Sequence, residues 1–166
     1  MNIYDAILKR RSIRKFQEKE VTDEIITALL KAAMAAPSAR NEKPWLFYVI
    51  KNKKMLKELS TIFKDFNAPL MITVAANVSN IENTKNGFWI QDCSAATQNI
   101  LLASEHYNLG TCWCGVYPKE EATIKVKEIL NLDENIIPLS LIQIGYKAEE
   151  KESRTQYDQN KIIIID

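Results

Sequence analysis

The chain has 166 residues, 46% of them hydrophobic, which is enough for one domain with a sizeable core and too little for two. Its 22 Lys and Arg against 21 Asp and Glu leave a net charge of +1, so no global field favours nucleic acid or an anionic membrane, and any anion site has to be local. No apolar run approaches the roughly 18 residues of a membrane span, Met1 to Ile7 lack a leader pattern, and an odd count of three cysteines gives no disulfide framework; a cytoplasmic protein with reduced thiols is expected.

Ile3, Ile7 and Leu8 recur at helical spacing and predict a first helix over residues 2–10. The run Arg10-Arg11-Ser12-Ile13-Arg14-Lys15-Phe16 follows at its C-terminal end, where cations suit the helix dipole. Guanidinium forks beside a short hydroxyl suit a doubly charged phosphate, and the same composition also describes a solvated basic stretch. Thr22 or Asp23 caps a second helix bearing Ile25, Ile26, Leu29, Leu30 and Ala33, which stops where Pro37 forbids continuation. The chain then turns through Ser38, Ala39 and Asn41 into Pro44-Trp45. Proline stiffens such a turn, and Ser and Asn side chains bond neighbouring amides or a ligand.

Leu46 to Ile50 is a continuous run of strand formers, expected to be covered on both faces and central in a sheet. A lysine-rich third helix with Leu56, Leu59, Ile62 and Phe63 inward, a second strand over Pro69 to Ala75 and a polar loop over 77–87 come next. From Gly87 to Tyr107 the chain is apolar around most of a helical circumference, which places that helix in the core and at a dimer interface. A third strand over Cys112 to Tyr117, a helix carrying Ile124, Val126, Ile129 and Leu130, and a fourth strand over Leu139 to Ile144 follow. Beyond a polar tail, Ile162 to Ile165 form an aggregation-prone edge if left exposed and therefore require a partner.

Four glycines in the whole chain cannot supply a Walker loop or a dinucleotide fingerprint. The single histidine, His106, and the lack of a Gly-x-Ser-x-Gly elbow leave no nucleophilic triad, so no side chain is assigned as catalytic and His106 is taken as structural. Cys112 and Cys114 face one side of a strand. With Cys93 and His106 they lack the paired spacing of structural zinc, so small apolar packing accounts for them better and no metal is expected.

Three segments, Arg10 to Phe16, Ala36-Pro37-Ser38-Ala39-Arg40-Asn41-Glu42-Lys43-Pro44-Trp45 and Gly110-Thr111-Cys112-Trp113-Cys114-Gly115-Val116-Tyr117-Pro118, closely resemble the FMN-dependent nitroreductase family. That family shows an Arg-Arg-Ser-x-Arg opening, an Ala-Pro-Ser-x-x-Asn-x-x-Pro-Trp loop and a turn into a strand, and the resemblance runs nearly end to end. It implies an α+β fold with a mixed, mainly antiparallel sheet of four strands flanked by helices, a single domain over 1–166. Residues 147–166 would extend to a partner subunit and add a fifth strand to its sheet in a homodimer.

The resemblance also implies tightly bound FMN, NADH or NADPH as reductant, and ping-pong hydride transfer to a nitroaromatic, quinone or similar planar small molecule, the chemistry being the flavin's. By matching positions, Arg10, Ser12 and Arg14 would hold the phosphate and ribityl end, and Arg11 the N1 and O2 region. Pro37, Ser38, Ala39 and Asn41 would come from the second subunit. Backbone amides near Cys114 and Gly115 would face N5 and O4. Arg154 would be a late phosphate ligand, with Lys151 a further candidate. Lys43 stands where the family pattern has glutamine, and no long insertion is present to lid the pocket. A specialised member of the same fold (an enoate-type reductase, a dehalogenase or a flavin-fragmenting enzyme) and a non-catalytic flavin-binding or storage protein remain alternatives.

Overall fold

Asn2 opens the first helix by accepting the Asp5 N–H at 2.9 Å, and α1 runs over Ile3–Lys9. A computed structural model describes residues 2–63, 67–79, 85–153 and 155–165. Helix α2 (Asp23–Met34) starts after Thr22 and ends ahead of Pro37. The chain continues through β1 (Trp45–Ile50), α3 (Lys53–Ile62), β2 (Leu70–Asn77), α4 (Phe88–His106), β3 (Leu109–Gly115), α5 (Glu120–Leu130) and β4 (Ile136–Tyr146).

The strands form one sheet in the order β1-β2-β4-β3, every neighbouring pair antiparallel. Alternation along the strands divides the core in two. Leu70, Ile72, Val74 and Ala76 face α2 and α4, among Leu29, Ala33, Trp89, Cys93, Ala96 and Ile100. Met71, Leu141, Cys112 and Cys114 face α3 and α5, among Leu59, Ala122 and Val126. The three thiols are free, and Cys93 is separated from the Cys112 and Cys114 pair by the sheet itself. No helix among the described residues is long and apolar enough to cross a membrane.

Several sequence expectations are corrected here. Strand β1 lies at a sheet edge instead of the centre, with Leu46 and Val49 37% and 38% exposed; β2 and β4, buried along nearly their whole lengths, are the central strands. An apolar run awaiting cover from elsewhere carries the same pattern as one covered within its own chain. Strand β3 begins at Leu109, ahead of the expected Cys112, because Asn108 adopts a left-handed backbone (φ 54°) and turns the chain from α4 straight into the sheet. Strand β4 runs through Pro138. A register shift opposite Val74 and Ala75 makes a bulge there, which relieves the ladder of the missing proline N–H. Of the predicted 77–87 loop, residues 80–84 lie outside the described residues, as does Arg154.

Candidate cofactor site

The basic segment is laid against the open edge of β3. Arg10 closes α1 by donating its N–H to Ala6 O at 3.0 Å, Ser12 bridges Thr111, and Ile13 N–H donates to Thr111 O at 2.9 Å. Ile13 is buried over Gly110, where an added Cβ would sit 2.7 Å from the Ile13 side chain, so the close approach of the two backbones requires glycine. Further on, Gln17 N–H donates to Tyr146 O at 2.9 Å and Ala148 N–H to Lys15 O at 3.0 Å, which draws the C-terminal tail alongside the segment.

This stitching brings cations together. Lys151 Nζ donates to Ser12 O at 2.6 Å and pairs with Glu149 at 3.3 Å. Arg11 Nη1 donates to the Glu152 carbonyl. Glu149 Oε1 accepts the Arg14 N–H at 2.6 Å and the Lys15 N–H at 3.3 Å. The Arg14 amide, helped by Lys151, holds the Glu149 carboxyl below the usual carboxylate range. The Cys112 thiol is pulled down to about 7, first by a hydrogen bond with the Cys114 thiol, while Arg14, Lys151 and Arg10 act more weakly in the same direction against burial. The Cys114 thiol is pushed up by that same bond and by burial.

Peptide groups along β3 alternate between its partner strand and the open edge. Thr111 O goes to Ile13, and Val116 N–H goes to Leu139 O at 3.0 Å, so Cys112 and Cys114 turn their amides into β4 while Gly115 turns its amide outward. Of the Cys114 and Gly115 pair, the outward donor is therefore Gly115. Trp89 packs edge-on against Tyr117 with ring centroids 4.9 Å apart, bracing the end of this strand from α4.

The second predicted segment is an ordered turn. A short 3-10 turn spans Ala39–Asn41, and Arg40, Asn41 and Lys43 take left-handed backbones with φ of 53°, 58° and 51°. Ser38 Oγ accepts the Lys43 N–H at 3.0 Å, which leaves the hydroxyl proton free to be donated elsewhere. Pro37, Asn41 and Lys43 are exposed and Ser38 and Ala39 half-buried. Asp92 of α4 accepts the Ala39 N–H at 2.9 Å through Oδ1. The sequence reading missed Asp92, for which the available signal was a lone carboxylate on an otherwise apolar stretch of helix.

The basic segment borders β3 and the turn leads into β1, at opposite edges of the sheet. Next to α1, whose Ile3 and Ile7 are exposed, a shallow groove of about 380 Å³ is lined by Ala6, Ala32, Ala35, Leu102 and His106 among others.

The nitroreductase family model matches residues 7–70 and 63–146. The chain belongs to the nitroreductase family. It is 42% identical over 168 residues to a protein of Methanothermobacter thermautotrophicus provisionally named NADH dehydrogenase/NAD(P)H nitroreductase, a match that covers 98% of this chain and 86% of that one. The FMN-dependent nitroreductase of Clostridium difficile R20291 superposes with a TM-score of 0.88 at 33% identity, covering 98% of this chain and 99% of that one. A protein of Clostridium acetobutylicum provisionally named NADH oxidase gives 0.90 at 39% identity, over 96% and 98%. The nitroreductase fold is thus shared along the whole chain, and the family match includes both the basic segment and the Ser38 turn.

Proposed function

We propose that this nitroreductase is a homodimeric FMN-dependent oxidoreductase that passes hydride from NADH or NADPH to a planar acceptor, such as a nitroaromatic or a quinone, by ping-pong turnover. The observation that carries this reading is the Arg10–Arg14 segment stitched through Ser12 and Ile13 along the open edge of β3, with Lys151 drawn from the tail onto the Ser12 carbonyl. A phosphate dianion is the ligand such a cluster suits, since charge-assisted bonds to cations repay its desolvation. The names of the relatives, FMN-dependent and NAD(P)H-linked, support the same cofactor and reductant.

In this reading Arg10, Ser12, Arg14 and Lys151 hold the phosphate and ribityl end, joined by Arg154. Arg11, anchored to the Glu152 carbonyl through one donor, has others left for the N1 and O2 edge, where a guanidinium stabilises negative charge. The outward Gly115 amide, next to Cys114, serves N5 and O4. FMN, when bound, supplies acceptance of a hydride and its delivery to the second substrate. The protein's part is to grip, orient and cover it.

Cover comes from a second copy. Pro37, Ser38, Ala39 and Asn41 sit across the sheet from their own chain's cradle, so they are assigned to the partner subunit's cofactor. The exposed apolar side chains of α1 and the tail, with Ile163 85% and Ile165 92% exposed, supply the dimer surface, and Ile162 to Ile165 are proposed to add a strand to the partner's sheet. Anaerobic NADH or NADPH added to the purified yellow protein should bleach its visible flavin bands, and a nitroaromatic or quinone should restore them. Bound flavin that neither nicotinamide reduces would contradict the oxidoreductase reading and favour a storage protein.

A further inference from the structure

We propose that Asp92 is a positioning residue for the cofactor site, its buried carboxylate pinning the Ser38–Asn41 turn to helix α4 through the Ala39 N–H. The identity of the cofactor in this proposal rests on the reading above; the pinning itself does not.

Asp92 is 4% exposed and shares its helix face with buried Trp89, Cys93 and Ala96. A carboxylate in such surroundings is costly unless it is paired. Among the described residues it makes no ion pair, Oδ1 takes the single Ala39 N–H at 2.9 Å, and Oδ2 is buried without a partner. A group that expensive is not explained by packing, because an apolar side chain would fill the same space without an orphaned oxygen. What the carboxylate alone provides is a charge-assisted acceptor aimed at one amide.

That amide belongs to a turn in which three of the five positive-φ non-glycine residues among the described residues fall. Left-handed conformations at Arg40, Asn41 and Lys43, none of them glycine, persist only where the surroundings hold them. The bonds inside the turn, Asn41 N–H to Ser38 O at 3.0 Å, Glu42 N–H to Ala39 O at 3.1 Å and Lys43 N–H to Ser38 Oγ, fix its shape. The Asp92 bond spans 53 residues of sequence and ties that shape to the long central helix. Release of Ala39 therefore moves Ser38 and Asn41 together, the two side chains assigned to the flavin.

The test uses the full chain as wild type, Asp92→Ala and Asp92→Asn. Hydrogen exchange is followed over peptides covering residues 36–44 without added FMN, and FMN affinity, kcat, KM and thermal stability are measured alongside. Asp92→Ala should speed exchange in the turn and weaken FMN about tenfold, the effect of losing one charge-assisted bond. Asp92→Asn, which keeps an acceptor oxygen but not the charge, should fall between, and it carries the test alone if the alanine variant does not fold. Exchange confined to wild-type rates in both variants would overturn the proposal. So would a loosening spread over α4 and the sheet with FMN affinity falling only as the folded fraction falls. A wild-type chain that binds no FMN refutes the cofactor reading, and the exchange rates of the turn then decide the pinning independently.

Discussion

Glu149 shows how much of the candidate site depends on one side chain. A single carboxylate oxygen takes the Arg14 and Lys15 amides and faces Lys151, so it shapes the basic segment and fixes one of its cations at the same time. Because its pKa is lowered in the folded chain, the contribution is present above the ordinary carboxylate value of about 4.3 and is lost as pH falls through the lowered value. Glu149→Gln is accordingly expected to weaken FMN binding several-fold at neutral pH, with wild type and variant converging in acid; calorimetry across the pH range checks this, and a difference that persists undiminished at low pH would count against the role. The basic segment is visible in the sequence because Arg10, Arg11 and Arg14 fall within one short run around Ser12. Glu149 and Asp92 are not, since their bonds reach across 135 and 53 residues and nothing local marks a carboxylate whose partner is a distant backbone amide.

At the scale of elements, the helices and strands were readable wherever periodicity and proline acted locally. Helix α2 ends ahead of Pro37 as its composition requires, and the central stretch from Phe88 forms one long, largely buried helix. Reading failed where tertiary pairing overrides local preference: Pro138 lies inside β4 because a bulge accommodates it, and β1 looks central because its side chains are apolar on both faces although it lies at the sheet edge. Ile162 to Ile165, exposed and outside any strand in the single chain, are the segment proposed to add to the partner's sheet. Removing residues from Ile162 onward is predicted to give monomer or aggregate in light scattering and to cost flavin retention. An unchanged, active dimer would refute strand exchange.

For the whole molecule, the decisive relation is between the two ends of the sheet order. The basic segment borders β3 and the ordered turn enters β1, the two edge strands of the sheet, which is why the proposed site draws its two halves from different copies of the chain. Family membership supplies the fold, and the cations of the Arg10–Arg14 segment with Lys151 on the Ser12 carbonyl are the proposed reason that a phosphate-bearing cofactor would be held there. The most direct test of this account is a calorimetric titration of the purified full-length chain with FMN. Saturation at one FMN per chain, with the protein turning yellow, is the predicted result; a colourless protein that releases no heat on FMN addition would contradict it.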